Sequence, residues 1–420
     1  MGWISIKGDS DLWSRHLEIN WMPLRRLVRE RPEAVVIAAG VFLRVLVYLT
    51  NRTMWLDEMS LATNLIGRPI LDFSEPLSGD QLAPFLFLMV ERALVQLLGD
   101  SNFALRLLPL AAGIAALALF AHLARRLLPR RAALVALVLF ALSDDLIYYS
   151  SEVKPYAVDL VVGLAITLAA CDALGRPASR GSVEVLAAAA ALAPWCSFAS
   201  AFVIAGCGAT LWLDRLLARD LRSALIWLIV GMGWLAIFLV SVAGSRALLT
   251  PYTTMYRFWD FAFLPIQPPL SQDKLLKAGG ILLELFVNPL NLVAPLWPRV
   301  AVLVPVLLLA LGGVSRFQRS WPTGLLLVLP IVLALVASAL KQYPLHGRLI
   351  LELVPALFLL IAEGTEWLGR GDSRHLGLLY KAVLILLLAY PCLSAVYYAS
   401  GVRQRPFNSH GDLHGNVFMD

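Results

Sequence analysis

Residues 130–176 read RRAALVALVLFALSDDLIYYSSEVKPYAVDLVVGLAITLAACDALGR. Arg130 and Arg131 open the stretch, and Ala132–Phe140 then runs without a charge. A polar knot follows, from Asp144 and Asp145 through Ser150, Glu152 and Lys154 to Pro155 and Tyr156. A second apolar run then leads to Arg176 and Arg180. A helix of about 20 mostly apolar residues can cross a hydrocarbon core because it satisfies its own backbone hydrogen bonds. The stretch therefore predicts two antiparallel spans, 132–149 and 156–174, with arginines at one end and a short connection, 150–155, at the other.

Working outward, the whole chain has this character. Of its 420 residues 59% are hydrophobic and 15% charged, which leaves an apolar excess that a soluble domain would not carry. The alternation of a β-barrel is absent. An all-α polytopic membrane protein is expected, with about eleven spans. They fall near 34–50, 107–125, 132–149, 156–174, 183–196, 198–213, 222–243, 299–315, 322–340, 349–368 and 376–399. The spans 183–196 and 198–213 are short and meet at Pro194–Ser197 like a hairpin. Arginines recur in every second loop (125–131, 176–180, 215–222, 316–319, 370–374), the signature of cytoplasmic loops, and they explain the net charge of +6 without nucleic acid. This alternation holds only if 83–98, with Glu91 and Arg92 at its middle, lies on the outer surface instead of spanning. The segment 279–296 takes the same reading. Residues 1–33 are polar and basic and are expected to precede an uncleaved anchor. The chain reads as one domain, 34–399, with outer loops 51–106 and 244–298 and a short outer tail, 400–420. Cys171, Cys196, Cys207 and Cys392 form no C-x-x-C pair, which argues against a disulfide framework or a zinc site.

Three outer places concentrate chemistry. The first is Asp57-Glu58, opening a helix whose Trp55, Met59, Ala62 and Ile66 share an apolar face. Neighbours on a helix point about 100° apart, so the two acids cannot do one job. From the pattern alone, both acids also fit a plain preference for a helix N-terminus. The second is the cluster around Asp145, Glu152, Lys154 and Tyr156, with Pro155 in the first turn of the next helix. As single residues, these equally suit a solvated connection with aromatic belt residues. The third is Lys341, His346 and Arg348, cations on the side that should be poor in them. Arg348 suits a snorkelling arginine or an anion site, since its fork matches phosphate oxygens.

At these places the chain resembles the GT-C superfamily of membrane glycosyltransferases. It is most similar to the bacterial branch related to protein mannosyltransferases and aminoarabinose transferases. A basic-flanked span leads to Asp57-Glu58, then a Pro-containing amphipathic helix, Ala83–Leu98, which ends in GDSNFALR at 99–106. The next span ends in Arg125-Arg126; Glu152-Val153-Lys154-Pro155-Tyr156 resembles the branch's acid-x-basic-Pro-Tyr element, and Arg348 before Pro355 its Arg-then-Pro span start. Two features depart from the pattern. Gln81-Leu82-Ala83-Pro84 stands where the family has His-Pro-Pro, and Gly401–Asp420 stands where larger relatives carry an outer domain.

The resemblance implies transfer of a sugar from a polyprenyl-phosphate carrier to a lipid, glycan or protein hydroxyl, usually with inversion. The site is expected on the outer face of a bacterial inner membrane. It implies Asp57 as general base, with Glu58 orienting it or holding a divalent cation. Arg348, Lys154, Lys341 and His346 would hold the carrier phosphate as it gains charge. Glu152, Tyr156 and Asp145 would support, and Glu152 is the alternative ligand for a cation. No cofactor is required beyond that ion, and no nucleic-acid partner is expected. The competing reading is a transporter or flippase of lipid-linked sugars. That reading needs charged or broken helices near the membrane midplane, whereas charge here gathers at one surface.

Overall fold

The structure is a computed structural model that describes residues 29–69, 73, 77–79, 81–174, 180–243, 257–294, 299–370 and 374–399. Asp72, Glu75, Asp80, Arg176 and the tail with His410 and His414 lie outside the described residues.

The described elements are helical throughout. They are α1 (Pro32–Leu49), α2 (Leu56–Gly67), α3 (Phe85–Leu98), α4 (Leu107–Leu127), α5 (Arg130–Leu142), α6 (Asp144–Tyr148), α7 (Tyr156–Ala173), α8 (Arg180–Cys196), α9 (Ser200–Leu217), α10 (Leu221–Ala243), α11 (Gln272–Glu284), α12 (Leu303–Arg319), α13 (Trp321–Ala339), α14 (Val354–Leu368) and α15 (Arg374–Ala399). Among the described residues eight helices are long and apolar enough to cross a membrane, or nine if the bent pair α5–α6 is one span. Every expected span is met by a helix, but three differ in length or shape. The 132–149 span bends by 52° at Ser143. α8 has 17 residues and the deeply buried α14 has 15.

The bend has a specific support. A break exposes the last carbonyls of α5 where water is scarce, and such groups must find other donors. Arg44 of α1 supplies them: its guanidinium donates to Ala141 O at 3.1 Å and Phe140 O at 3.4 Å, besides Gly40 O at 3.0 Å. An arginine inside a span thus serves as the cap of a broken helix. Beyond the break, Ser394 Oγ donates to Asp144 Oδ2 at 2.7 Å and ties α15 to α6.

The tightest helix pair is α12 against α14. A Cβ placed on Gly312 would lie 1.7 Å from Leu360 O, and one on Gly364 would lie 2.1 Å from Leu308 O. In lipid there is little hydrophobic drive between helices, so backbone approach through small residues provides the packing.

The surface helices add what the sequence did not give. α3 was expected to lie on the outer surface because Glu91 and Arg92 stand at its middle; Glu91 is fully buried, and Arg92 donates to Leu65 O and Ile66 O at 3.0 Å each, closing the end of α2. Burial pushes the Glu91 carboxyl well above the usual carboxylate range. The exposed face carries Phe85, Val90, Leu97 and Leu98. Charge avoids lipid here by facing protein, not water. On α2, Met59 and Ile66 of the expected apolar face are exposed, and the buried face is Glu58, Leu61, Ala62 and Leu65. The helix expected at 279–296 ends at Glu284.

Ion pairs sort the bundle into two ends. At one end Arg125 pairs with Glu33 at 3.4 Å, Arg126 with Asp172, and Arg319 with Glu363 at 2.9 Å, while Arg316 donates to Leu127 O. At the other, Asp57 and Glu58 of the first loop meet residues 152–154. A cysteine-scanning measurement checks this polarity: in a cysteine-free background, positions 130 and 273, both exposed, label from opposite sides of the membrane. A Gly364→Val protein is expected to lose at least about 1–3 kcal/mol of stability by overpacking, read from thermal unfolding in detergent.

Candidate active site

The site is assembled from three stretches far apart in sequence: 52–58, 148–156 and 341–348. The first two meet at Glu58, and the third reaches them through Arg348 at Asp57. Glu58 is fully buried in the first turn of α2. Arg52 donates to it at 2.6 Å, Arg106 donates through Nε and Nη2 at 3.1 Å each, and the Val153 N–H donates at 3.1 Å. Arg106 also donates to Arg52 O at 2.7 Å, and Arg52 donates to Ser151 O at 3.0 Å and lies 4.3 Å from the Tyr148 ring. The first loop and the 150–155 connection are thereby one body. That connection also rests on α4: a Cβ on Gly113 would lie 2.1 Å from Ser150 Oγ, so a glycine is what lets the chain sit there.

With Glu58 turned inward, the helix turn aims Asp57 at Lys154 and Arg348. Its Oδ1 accepts from Lys154 Nζ at 2.8 Å and its Oδ2 pairs with Arg348 Nη2 at 2.8 Å. Lys154 also donates to Gln81 Oε1. Gln81, at the position that departs from the family's His-Pro-Pro, is therefore part of this site. Burial alone would raise the Asp57 carboxyl, but Arg348 and Lys154, with hydrogen bonds from Lys154 and Gln81, outweigh it and hold it at about 2. Burial pulls the Lys154 ammonium below its usual range, against the pull of Asp57.

Glu152 lies across the guanidinium from Asp57. Its Oε1 is 4.0 Å from Arg348 Nη1, and neither carboxyl oxygen accepts a hydrogen bond. Burial pushes it up to about 7; Glu58 and Asp57 add to the rise, and Arg348 and Arg52 oppose it. Two carboxylates on one arginine thus stand far apart in acidity, an arrangement that separates roles at many catalytic sites. Arg348 itself is ringed by Trp55 at 4.8 Å, Tyr156 at 5.7 Å and Trp259 at 5.9 Å. Its Nε and Nη1 are buried without a hydrogen-bond acceptor, so the cation has donors to offer an anion.

The structure brings together Asp57, Glu152, Lys154, Tyr156 and Arg348, as the sequence singled them out. The other expected residues stand elsewhere. Glu58 braces the site, and with both oxygens engaged by Arg52, Arg106 and Val153 it does not fit the part of a metal ligand. Among the described residues no group of three or more His, Cys, Asp or Glu is placed to share a metal ion. Lys341 pairs with Asp260 at 2.9 Å on the exposed rim, and His346 packs its ring on Phe261 at 5.1 Å and Trp259 at 5.9 Å. Asp145 is buried on α6, and the contacts that hold Asp57 do not include it. Sequence reasoning passed over Arg52, Arg106 and Trp259. Two arginines flanking an acidic loop, and the aromatic run Phe258-Trp259…Phe261, were the available signals.

No protein-family model matches the chain, and no curated protein matches it. Among solved structures, it is similar to two crystal structures of ArnT from Cupriavidus metallidurans. With the apo state the TM-score is 0.48 at 15% sequence identity, covering 88% of this chain and 75% of that one. With the form bound to undecaprenyl phosphate it is 0.47 at 15% identity, covering 88% and 71%.

Two substitutions separate the carboxylates. Glu58→Ala leaves two arginines without their buried partner and is expected to cost about 3–5 kcal/mol, read from thermal unfolding. Glu152→Gln has the opposite sign. Glu152 is raised from an ordinary 4.5 to about 7 in the folded chain, so the fold binds the proton more tightly and loses stability as pH rises between those values. Relative to wild type, Glu152→Gln is therefore expected to melt higher at pH near 8, with the gain vanishing near pH 4.

Proposed function

We propose that this chain is a glycosyltransferase of the inner membrane of a bacterium. It moves a sugar from a polyprenyl-phosphate carrier to a hydroxyl of a lipid, glycan or protein on the outer face. The observation that carries the reading is Asp57 set between Lys154 and Arg348 at the charged end of an apolar helix bundle. A proton acceptor and two phosphate-seeking cations are in direct contact, and apolar helices stand beside them for a long isoprenoid.

The step these residues support balances as follows. The acceptor oxygen forms a bond to the anomeric carbon, and the bond from that carbon to the phosphate oxygen breaks. The electron pair leaves with the carrier phosphate, and the acceptor's proton passes to Asp57. Arg348 and Lys154 offset the charge that the phosphate gains. Glu152, charged or neutral near pH 7, adjusts the balance around Arg348, and Tyr156 and Trp259 wall the guanidinium. Glu58 orients the turn that carries Asp57. Lys341 and His346, on the rim, would meet the donor or acceptor as it enters.

Purified protein in nanodiscs, given a polyprenyl-phosphate sugar and acceptor, is expected to release polyprenyl phosphate without a nucleotide sugar. Asp57→Asn is expected to lower transfer by about 10²-fold or more, the range a general base supplies. A folded Asp57→Asn protein with near-full transfer would remove Asp57 from the chemistry. Movement of the intact sugar-lipid across the bilayer, with no cleavage of its sugar–phosphate bond, would favour the flippase reading.

A further inference from the structure

Asp57 is held in a way that suits a counter-ion better than a base. Each of its oxygens is taken by a different cation, Oδ1 by Lys154 and Oδ2 by Arg348, both at 2.8 Å. These are the same cations on which the proposed reaction seats the carrier phosphate. Arg348 is also the group whose buried Nε and Nη1 have no hydrogen-bond acceptor.

Resting on that reading, we propose that Asp57 is an internal competitor of the donor. The carrier phosphate and the Asp57 carboxylate exchange places on Arg348 and Lys154, and this exchange releases Asp57 to act as the base. Donor binding therefore precedes proton removal from the acceptor.

The electrostatics give the exchange a purpose. Burial raises the Asp57 carboxyl, but the two cations hold it at about 2, too low to take a proton well near neutral pH. Giving both cations to a phosphate removes the interactions that lower it and leaves burial, which raises it. The groups facing Asp57 are Lys154, Gln81, Arg348, Glu152 and the uncharged Tyr156. Gln81 is neutral, and Glu152 has the same sign as Asp57, so neither can keep Asp57 clamped once the cations turn to phosphate. Glu152, 4.0 Å from Arg348, remains as counter-charge for the guanidinium during the exchange. A hydroxyl acceptor reaching the site before the donor meets a carboxylate that is already satisfied. Loss of the proton is thus coupled to the presence of a leaving group.

The test is binding, not turnover. The probe is the methyl diester of a prenyl phosphate, whose single charge does not titrate near neutral pH, compared with the uncharged prenyl alcohol. Full-length wild type, Asp57→Asn and Asp57→Ala are used in nanodiscs, each checked for wild-type-like thermal unfolding. Removing the competitor is expected to tighten diester binding by about 10-fold in both variants, with alcohol binding unchanged. Equal or weaker diester binding in both variants overturns the proposal, because Asp57 then organises the cations for phosphate or leaves them untouched. If wild type and both variants bind the diester no better than the alcohol, the carrier itself is wrong, and the proposed function falls together with the exchange.

Discussion

The buried carboxylate of Glu58 is the interaction on which the working end of this molecule depends. A charge without water is costly unless its partners are close and complete, and here Arg52, Arg106 and the Val153 N–H complete it. Those partners come from the first loop, from the turn before α4 and from the connection before α7. One anion thus joins three segments that share no secondary structure. Its helix neighbour Asp57 is turned about 100° away and faces Lys154 and Arg348 as a consequence. The adjacent acids divide the work: one holds the architecture, the other meets the cations.

The helical scaffold serves the same end by turning its charges toward protein. Arg44 lies within a span yet spends its donors on the carbonyls freed by the bend after α5. Glu363 lies at the opposite end from the site, held by Arg319 at 2.9 Å and by Ser315 Oγ at 2.8 Å. α3 turns Glu91 and Arg92 toward protein and leaves Phe85 and Leu97 outside. The close approach of α12 and α14 through Gly312 and Gly364 places α14 at the centre, and the turn leading into α14 carries Arg348 to the site.

The electrostatic character of the site comes from setting unlike neighbours around one guanidinium. Asp57 touches both cations and is held as an anion; Glu152 is buried with no hydrogen bond and takes a proton near neutrality. The aromatic walls of Trp55, Tyr156 and Trp259 restrict water around Arg348 and strengthen whatever ion pair it makes. A site that can exchange one anion for another needs such a cation: charged, partly enclosed and with donors in reserve.

Much of this was legible in residues alone, and the reasons are physical. A span must be apolar over about 20 residues, so the helices announce themselves, and the bend after Leu142 was concealed only because its cap, Arg44, lies in another span. Asp57, Lys154 and Arg348 stood out singly, as charges outside spans, but nothing local relates positions 97 residues apart, as Asp57 and Lys154 are. The direction of α3 was not legible either: a charge escapes lipid equally by facing water or by facing protein. The roles within Asp57-Glu58 depended on which acid turned inward. By itself the sequence determined that these helices form and that charge collects at their ends, because burial of backbone in lipid and the cost of charge there are local rules. Only the tertiary structure decided which charges meet, because pairing energies act through space between segments that the chain order keeps apart.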